Sequence, residues 1–253
     1  MGTALGFGVD VGGSGIKGCP VDLDAGVLTE ERFRLPTPQP STPDAVADAV
    51  AEIVDKFEWQ GPIGITLPCV IKDGVAHTAA NVDPSWIGTD AQTLFAERLG
   101  RERSEVAVLN DADAAGLAEM RVGAGVDHSG LVVLLTFGTG IGSATFVDGK
   151  LVPNTEFGHI EVDGHDAETQ AAASVKDDLD LSYPDWAPRV SRYLQALERF
   201  LWPDLIIAGG GVSKKAQKWL PLLESRSPVV AAELKNDAGI VGAASAAARG
   251  YGH

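Results

Sequence analysis

The chain has 253 residues, 45% of them hydrophobic and 22% charged, enough for one large domain or two smaller lobes with a sizeable core. Its formal net charge is −15, the reverse of the basic balance of nucleic-acid and anionic-membrane binders, so neither is expected as a main partner. A polyanionic substrate would have to find a local basic patch against that global field. The two cysteines, Cys19 and Cys69, lie outside any C-x-x-C motif; a disulfide scaffold and a Cys-rich zinc site are not expected, and a reducing cytoplasm fits. Met1 to Leu5 carries no basic leader and no long apolar stretch, and no apolar run approaches a membrane span.

In chain order, Leu5 to Asp10 reads as a strand, Gly12-Gly13 as a turn, Ile16 to Val21 as the returning strand, and Val27 to Arg34 as the third strand of a meander. Thr42 followed by Pro43 reads as an N-cap with proline at N1, opening a helix with Val46, Val50, Ile53, Val54 and Phe57 at helical spacing. Pro62 to Thr66 and Val75 to Thr78 read as strands. Thr89 or Asp90 caps a helix that runs to Leu99 and stops at Gly100. Val106 to Leu109 is a buried strand with Asn110-Asp111 at its C-terminal end, and a helix follows through Met120. A second meander runs from Leu131 to Phe137, turns at Gly138-Thr139-Gly140, continues through Ile141 to Val147 and turns again at Asp148-Gly149. The repeated theme predicts two lobes of related topology facing one another across a cleft. Ser182 opens a helix with Trp186, Val190, Leu194, Leu197 and Leu201 on one face, ended by Pro203. Leu205 to Ala208 reads as a strand running into Gly209-Gly210-Gly211, with a helix through Leu223. The Ala- and Gly-rich stretch Gly239 to Arg249 reads as a closely packed helix.

Bare backbone in the two glycine turns can approach phosphate oxygens. In the first turn, Gly12, Gly13 and Ser14 offer amides to a terminal phosphate, Asp10 organises magnesium through water, and Lys17 adds positive charge. The bland alternative is a tight hairpin that needs glycine for positive φ. No Gly-Lys-Ser/Thr opens a helix here, so the turn is not a Walker A loop. In the second turn, Thr139, Gly140 and Gly142 are the phosphate candidates; Ser143 replaces the last glycine of a dinucleotide fingerprint and a strand follows, which argues against an NAD-binding oxidoreductase. Asp111 is placed to accept a hydroxyl proton as that oxygen attacks phosphorus, and Asn110 to hold a sugar hydroxyl. Asp113 reads as the better cap of the helix. Glu156 and His159, flanking Phe157-Gly158, suit the hydroxyl rim of a sugar. A metal site from His159, His165 and Glu161 or Glu168 matches no zinc pattern. Gly209, Gly210 and Gly211, with the basic cluster Lys214, Lys215 and Lys218, read as a place for a nucleotide or a long phosphate chain.

In order, the segments Asp10–Gly18, Leu109–Ala112, Gly138–Gly142, Glu156–His159 and Ala208–Gly211 resemble the ROK family of repressors and sugar kinases. The resemblance implies an α/β fold of the actin-like ATPase type (ribonuclease H-like, hexokinase-type), with two lobes and an interlobe cleft. On that reading, residues 1–110 form a small lobe completed by helix 239–250, and residues 111–238 form a large lobe. The runs Thr78–Gly88, Leu151–Glu156 and Gly210–Lys215 are most similar to the polyphosphate-using glucokinases of that family. This implies phosphoryl transfer from inorganic polyphosphate, and from ATP, to the 6-hydroxyl of glucose, with mannose as a further acceptor, Mg2+ as cofactor and a homodimer as assembly. It implies Asp111 as general base and Asn81, Asn110, Glu156, His159 and Glu168 as sugar ligands. The family's Cys-rich zinc motif is missing after His159, so no structural zinc is expected; Pro68-Cys69 replaces the usual Pro-Gly, and Phe137 a smaller aliphatic residue. The alternatives are an ATP-only hexose kinase of the same fold and a non-catalytic sugar sensor. Against the second, the first strand begins at Leu5, leaving no room for a DNA-binding helix-turn-helix, and Asp111 is intact.

Overall fold

The computed structural model describes residues 4–251; Met1 to Thr3, the start of the segment read as leader-free, lie outside them. The chain divides after Ala118 and again before Asp237: Glu119–Asn236 form one compact unit, and the segments on either side form the other.

In the first unit, β1 (Leu5–Val11) pairs antiparallel with β2 (Ile16–Asp22) along its whole length, from Leu5 opposite Asp22 to Val11 opposite Ile16. The third strand of the expected meander is broken into β3 (Val27–Leu28) and β4 (Phe33–Leu35), both on β2. Between them the chain turns aside: Thr29 donates both its backbone N–H and its hydroxyl to the Pro20 carbonyl. Helix α1 (Pro43–Lys56) starts as expected, with the Thr42 hydroxyl accepting from the Ala45 N–H, and buries Val46, Val50, Ile53 and Val54. β5 (Ile63–Leu67) runs parallel to β1; β6 (Ile71–Lys72) and β7 (Val75–Ala76) form a small hairpin. Helix α2 (Ala91–Leu99) is capped by Asp90 and ends at Gly100 with φ +61°. β8 (Val106–Asn110) runs parallel to β5 and passes directly into α3 (Asp111–Val122). The sheet order is β3-β2-β1-β5-β8.

The C-terminal helix, Ala238–Ala248, is buried over nine of its residues and completes this unit. Its small side chains let backbones meet. A Cβ at Gly8 would stand 1.9 Å from the Ile240 carbonyl oxygen, and one at Gly64 1.8 Å from that of Ala243. Glycine is required there by contact, not by conformation.

The second unit repeats the plan. β9 (Leu131–Phe137) pairs antiparallel with β10 (Ile141–Val147), which pairs with β11 (Lys150–Val152) through a turn with positive φ at Asp148 and Gly149. The small hairpin of β12 (Glu161–Val162) and β13 (His165–Asp166) leads to α4 (Glu168–Ala171), α5 (Ala173–Asp178) and α6 (Tyr183–Phe200). β14 (Leu205–Gly209) runs parallel to β9, and β15 (Val229–Ala231) parallel to β14. The order β11-β10-β9-β14-β15 is that of the first sheet, two antiparallel steps followed by two parallel ones. Phe137, at the end of β9, packs edge-on against Trp186, Tyr193 and Trp219, with ring centroids 5.7–6.4 Å apart. The helix expected through Leu223 is instead two 3-10 stretches, Gly211–Lys218 and Leu220–Leu222, with a kink at Lys215. Trp219 breaks it by turning into the core, its indole N–H donating to the Val212 carbonyl, and Pro221 cannot rejoin the ladder. Two buried carboxylates tie loops to these helices: Glu119 accepts from the backbone of Ala124, Glu233 and Leu234, and Glu198 from the backbone of Arg226 and Ser227. No helix of the described residues is long and apolar enough to cross a membrane.

Candidate active site

The first glycine turn closes through a Gly12 N–H to Gly15 carbonyl bond of 3.1 Å. None of Gly12, Gly13 and Gly15 has positive φ, so the conformational reason for glycine weighed from the sequence does not operate here. What the missing side chains provide is clearance. A Cβ at Gly13 would meet Asn81 at 3.1 Å, and one at Gly15 would enter the Arg34 guanidinium at 2.4–2.6 Å. Asn81 itself is exposed at φ +60°. The buried Thr37 hydroxyl donates to the Gly12 carbonyl, and Arg34 donates to that of Ser14 at 3.0 Å. Asp10 accepts from the Thr66 hydroxyl at 2.9 Å and pairs with the Lys17 ammonium at 2.9 Å. Arg34, Thr37 and Thr66 are supports that sequence spacing does not reveal.

At the β8–α3 junction, Asn110 is buried and caps the helix. Its Oδ1 accepts from the N–H groups of Ala112 (2.8 Å) and Asp113 (3.2 Å), and its Nδ2 donates to the Cys69 carbonyl at 3.1 Å. Asp113, expected as the cap, is instead buried within the first turn. The last residue of a strand has the extended backbone that lets a side chain reach back over N–H groups two and three positions on. Asp111 is left exposed at the first helical position, its Oδ1 accepting from the Ala112 N–H at 2.8 Å, where the helix dipole favours a carboxylate. Cys69 turns its thiol into the core, where burial and then the Asp111 charge push it up to about 12.

In the second unit, Gly138 and Gly140 bend the chain without positive φ. The Gly138 N–H bonds to the Gly140 carbonyl at 3.0 Å, and Ser174 bonds to both the Gly138 and Thr139 carbonyls. Glu168 accepts from the Ile141 N–H at 3.0 Å; a Cβ at Gly140 would stand 2.3 Å from that carboxylate. A Cβ at Gly138 would touch nothing within 4 Å. Phe137, the departure beside this turn, anchors it to the aromatic core. Gly210, at φ +81°, lies against the Phe137 backbone, and Gly211 faces open space. The second turn and the triple glycine are therefore neighbouring stretches of bare backbone. Lys214, Lys215 and Lys218 beyond them are all exposed.

Glu156 precedes and His159 ends a short 3-10 turn held against β10: the Phe157 N–H donates to the Ser143 hydroxyl, and Gly158 leaves room for the Ile141 carbonyl. His159 Nδ1 lies 2.9 Å from Asp166 and 4.0 Å from Glu168. The Asp166 hydrogen bond raises the imidazole above its usual value, with burial opposing and the nearby carboxylates adding. Desolvation raises Glu156, His159 opposes, and Glu168 adds. His159, Asp166 and Glu168 have ligand atoms within 4.8 Å of one another; the structure brings neither His165 nor Glu161 into that group. Asp166 was not legible as a partner, because nothing local in H-x6-D marks it.

The ROK family model matches residues 6–174. The chain is 62% identical to a polyphosphate glucokinase of Mycobacterium tuberculosis, over 95% of its length and 90% of that protein's. Its fold superposes on an inorganic polyphosphate/ATP-glucomannokinase from Arthrobacter sp. strain KM with a TM-score of 0.92 and 51% identity, covering 97% of this chain and 99% of that one. A ROK family glucokinase from Streptomyces griseus, solved with glucose and AMPPNP, is similar at a TM-score of 0.81 and 26% identity, covering 97% and 100%.

Proposed function

This chain belongs to the ROK family, and on that premise we propose that it transfers the terminal phosphoryl group of inorganic polyphosphate, and of ATP, to the 6-hydroxyl of glucose with Asp111 as general base. It has the actin-like ATPase fold of the ROK hexokinases and is a glucokinase-type enzyme. The observation that carries the residue assignment is the division of labour at the β8–α3 junction. Asn110 takes the cap, and the adjacent Asp111 carboxylate stays exposed while its Oδ1 shares the Ala112 N–H. Asp111 accepts the hydroxyl proton as the sugar oxygen bonds to phosphorus; the bond to the bridging oxygen breaks, and a donor chain shorter by one phosphate leaves.

Glu156, His159, Glu168 and Asn81 hold sugar hydroxyls, joined by the second N–H of the Asn110 amide. The amides of Gly12, Gly13 and Ser14, and those at Thr139, Gly140 and Gly142, receive phosphoryl oxygens. Bare backbone at Gly209–Gly211, with Lys214, Lys215 and Lys218, carries the rest of the donor. A magnesium ion would supply neutralisation of the charge on the transferring group. Asp10 fits it through water: each carboxylate oxygen already accepts a hydrogen bond, from Thr66 and from Lys17, and the remaining lone pairs suit coordinated water. Mannose as a second acceptor, a homodimer and a cytoplasmic setting belong to the same reading.

The test is glucose 6-phosphate formation from long-chain polyphosphate in nucleotide-free buffer. Activity with ATP alone would replace the reading by an ATP-only hexose kinase. Asp111→Ala is expected to lower kcat by about a hundredfold or more while glucose binding survives; near-normal turnover removes Asp111 from its role.

A further inference from the structure

The first glycine turn is served by a row of charges. Cross-strand register sets Asp10 of β1 opposite Lys17 of β2, and Lys17 opposite Arg34 of β4. Residues so paired stand on one face of the sheet, within reach of each other's side chains. Asp10 and Lys17 form an ion pair at 2.9 Å, so the Lys17 charge is already balanced. Arg34 is not balanced in this way: its hydrogen bond runs to a neutral carbonyl, that of Ser14, and among the described residues no carboxylate pairs with it.

Like charges directly opposite one another in a sheet are unfavourable, and Asp10 balances only the first of these two. The chain nevertheless makes special room for the second. Gly15 lies face to face with the guanidinium, which any Cβ would displace, and the φ of Gly15 gives no other reason for glycine. Arg34 is exposed, so its remaining N–H groups are open to a ligand. A planar fork held at one edge by a backbone carbonyl presents its other edge already oriented, which suits phosphate oxygens.

We propose that Arg34 is a donor-binding residue, contacting an oxygen of the phosphoanhydride chain whose end lies on the amides of Gly12 to Ser14. It thereby supplies the positive charge that Lys17, neutralised by Asp10, does not. This rests on the polyphosphate-and-ATP reading above, and deepens it for the first turn.

The experiment measures inorganic tripolyphosphate binding by calorimetry, with magnesium and without sugar, alongside glucose KM. Arg34→Gln keeps a donor for the Ser14 carbonyl and removes the charge; Arg34→Lys keeps the charge. Arg34→Gln is expected to weaken tripolyphosphate about tenfold and Arg34→Lys less than about threefold, with glucose KM and the thermal midpoint unchanged in both. Wild-type affinity in Arg34→Gln would overturn the assignment. Equal loss in both variants with a lowered midpoint would also overturn it, making Arg34 a brace of the turn. A wild-type chain that bound no tripolyphosphate would instead bring down the donor reading itself.

Discussion

Glu156 meets acid earlier than an ordinary glutamate. Desolvation holds its carboxyl above the usual value, so on falling pH it takes up a proton while free glutamates near 4.3 remain charged. On the proposed reading, the protonated carboxyl has fewer lone pairs for the sugar hydroxyl it would hold. Glucose KM is therefore expected to climb on acidification from above the ordinary glutamate range, and Glu156→Gln to flatten that acid limb in a KM-against-pH profile. An unchanged limb in Glu156→Gln would place the titration elsewhere. Candidates of this kind are picked out by local signals: Asp111 after a buried strand, or Glu156 and His159 around a glycine. Their partners are not. Asp166 beside His159, Thr66 beside Asp10 and Cys69 beneath Asn110 come together through the tertiary fold. The assignment of Asp113 as cap failed for a local reason, since Asn110, one position before the helix, offers the same side-chain chemistry with better reach.

Among the elements, glycine has two distinct meanings. At Gly64 an added methyl would strike the Ala243 carbonyl of the C-terminal helix, and two backbones cannot give way cheaply. At Gly138 it would enter open space with no conformational penalty. Gly64→Ala is thus expected to cost about 3 kcal/mol or more of stability in urea unfolding. Gly138→Ala is expected to leave stability within about 0.5 kcal/mol but to raise the donor KM. A Gly138→Ala enzyme with normal donor kinetics would argue that no phosphate lies on that turn. The helices were read well because caps and periodicity are short-range: Thr42, Asp90, Gly100 and Ser182 all act as expected. The misread elements were those where a single side chain redirects the backbone, Thr29 between β3 and β4 and Trp219 after β14.

At the scale of the whole molecule, the charge of −15 makes each exposed cation on the proposed donor path count. Replacing Lys214, Lys215 and Lys218 together by glutamine is expected to raise the KM for long-chain polyphosphate about fivefold, with ATP changed less than about twofold, because a longer polyanion samples more of the local field. Equal shifts for both donors would remove the cluster from the polyphosphate path. The architecture was the most legible level of all, since strand, bare bend, strand and Asx-Gly turn recur in the same order and the two sheets share one strand succession.

The C-terminal helix gives that architecture a temporal order. During synthesis the whole second unit is added before Ala238, yet the strands made first await the helix that follows it, whose carbonyls meet Gly8 and Gly64. The half of the protein that emerges earliest is the half that matures latest, so a chain cut just before Ala238 keeps every strand of both sheets yet leaves the first sheet unsealed.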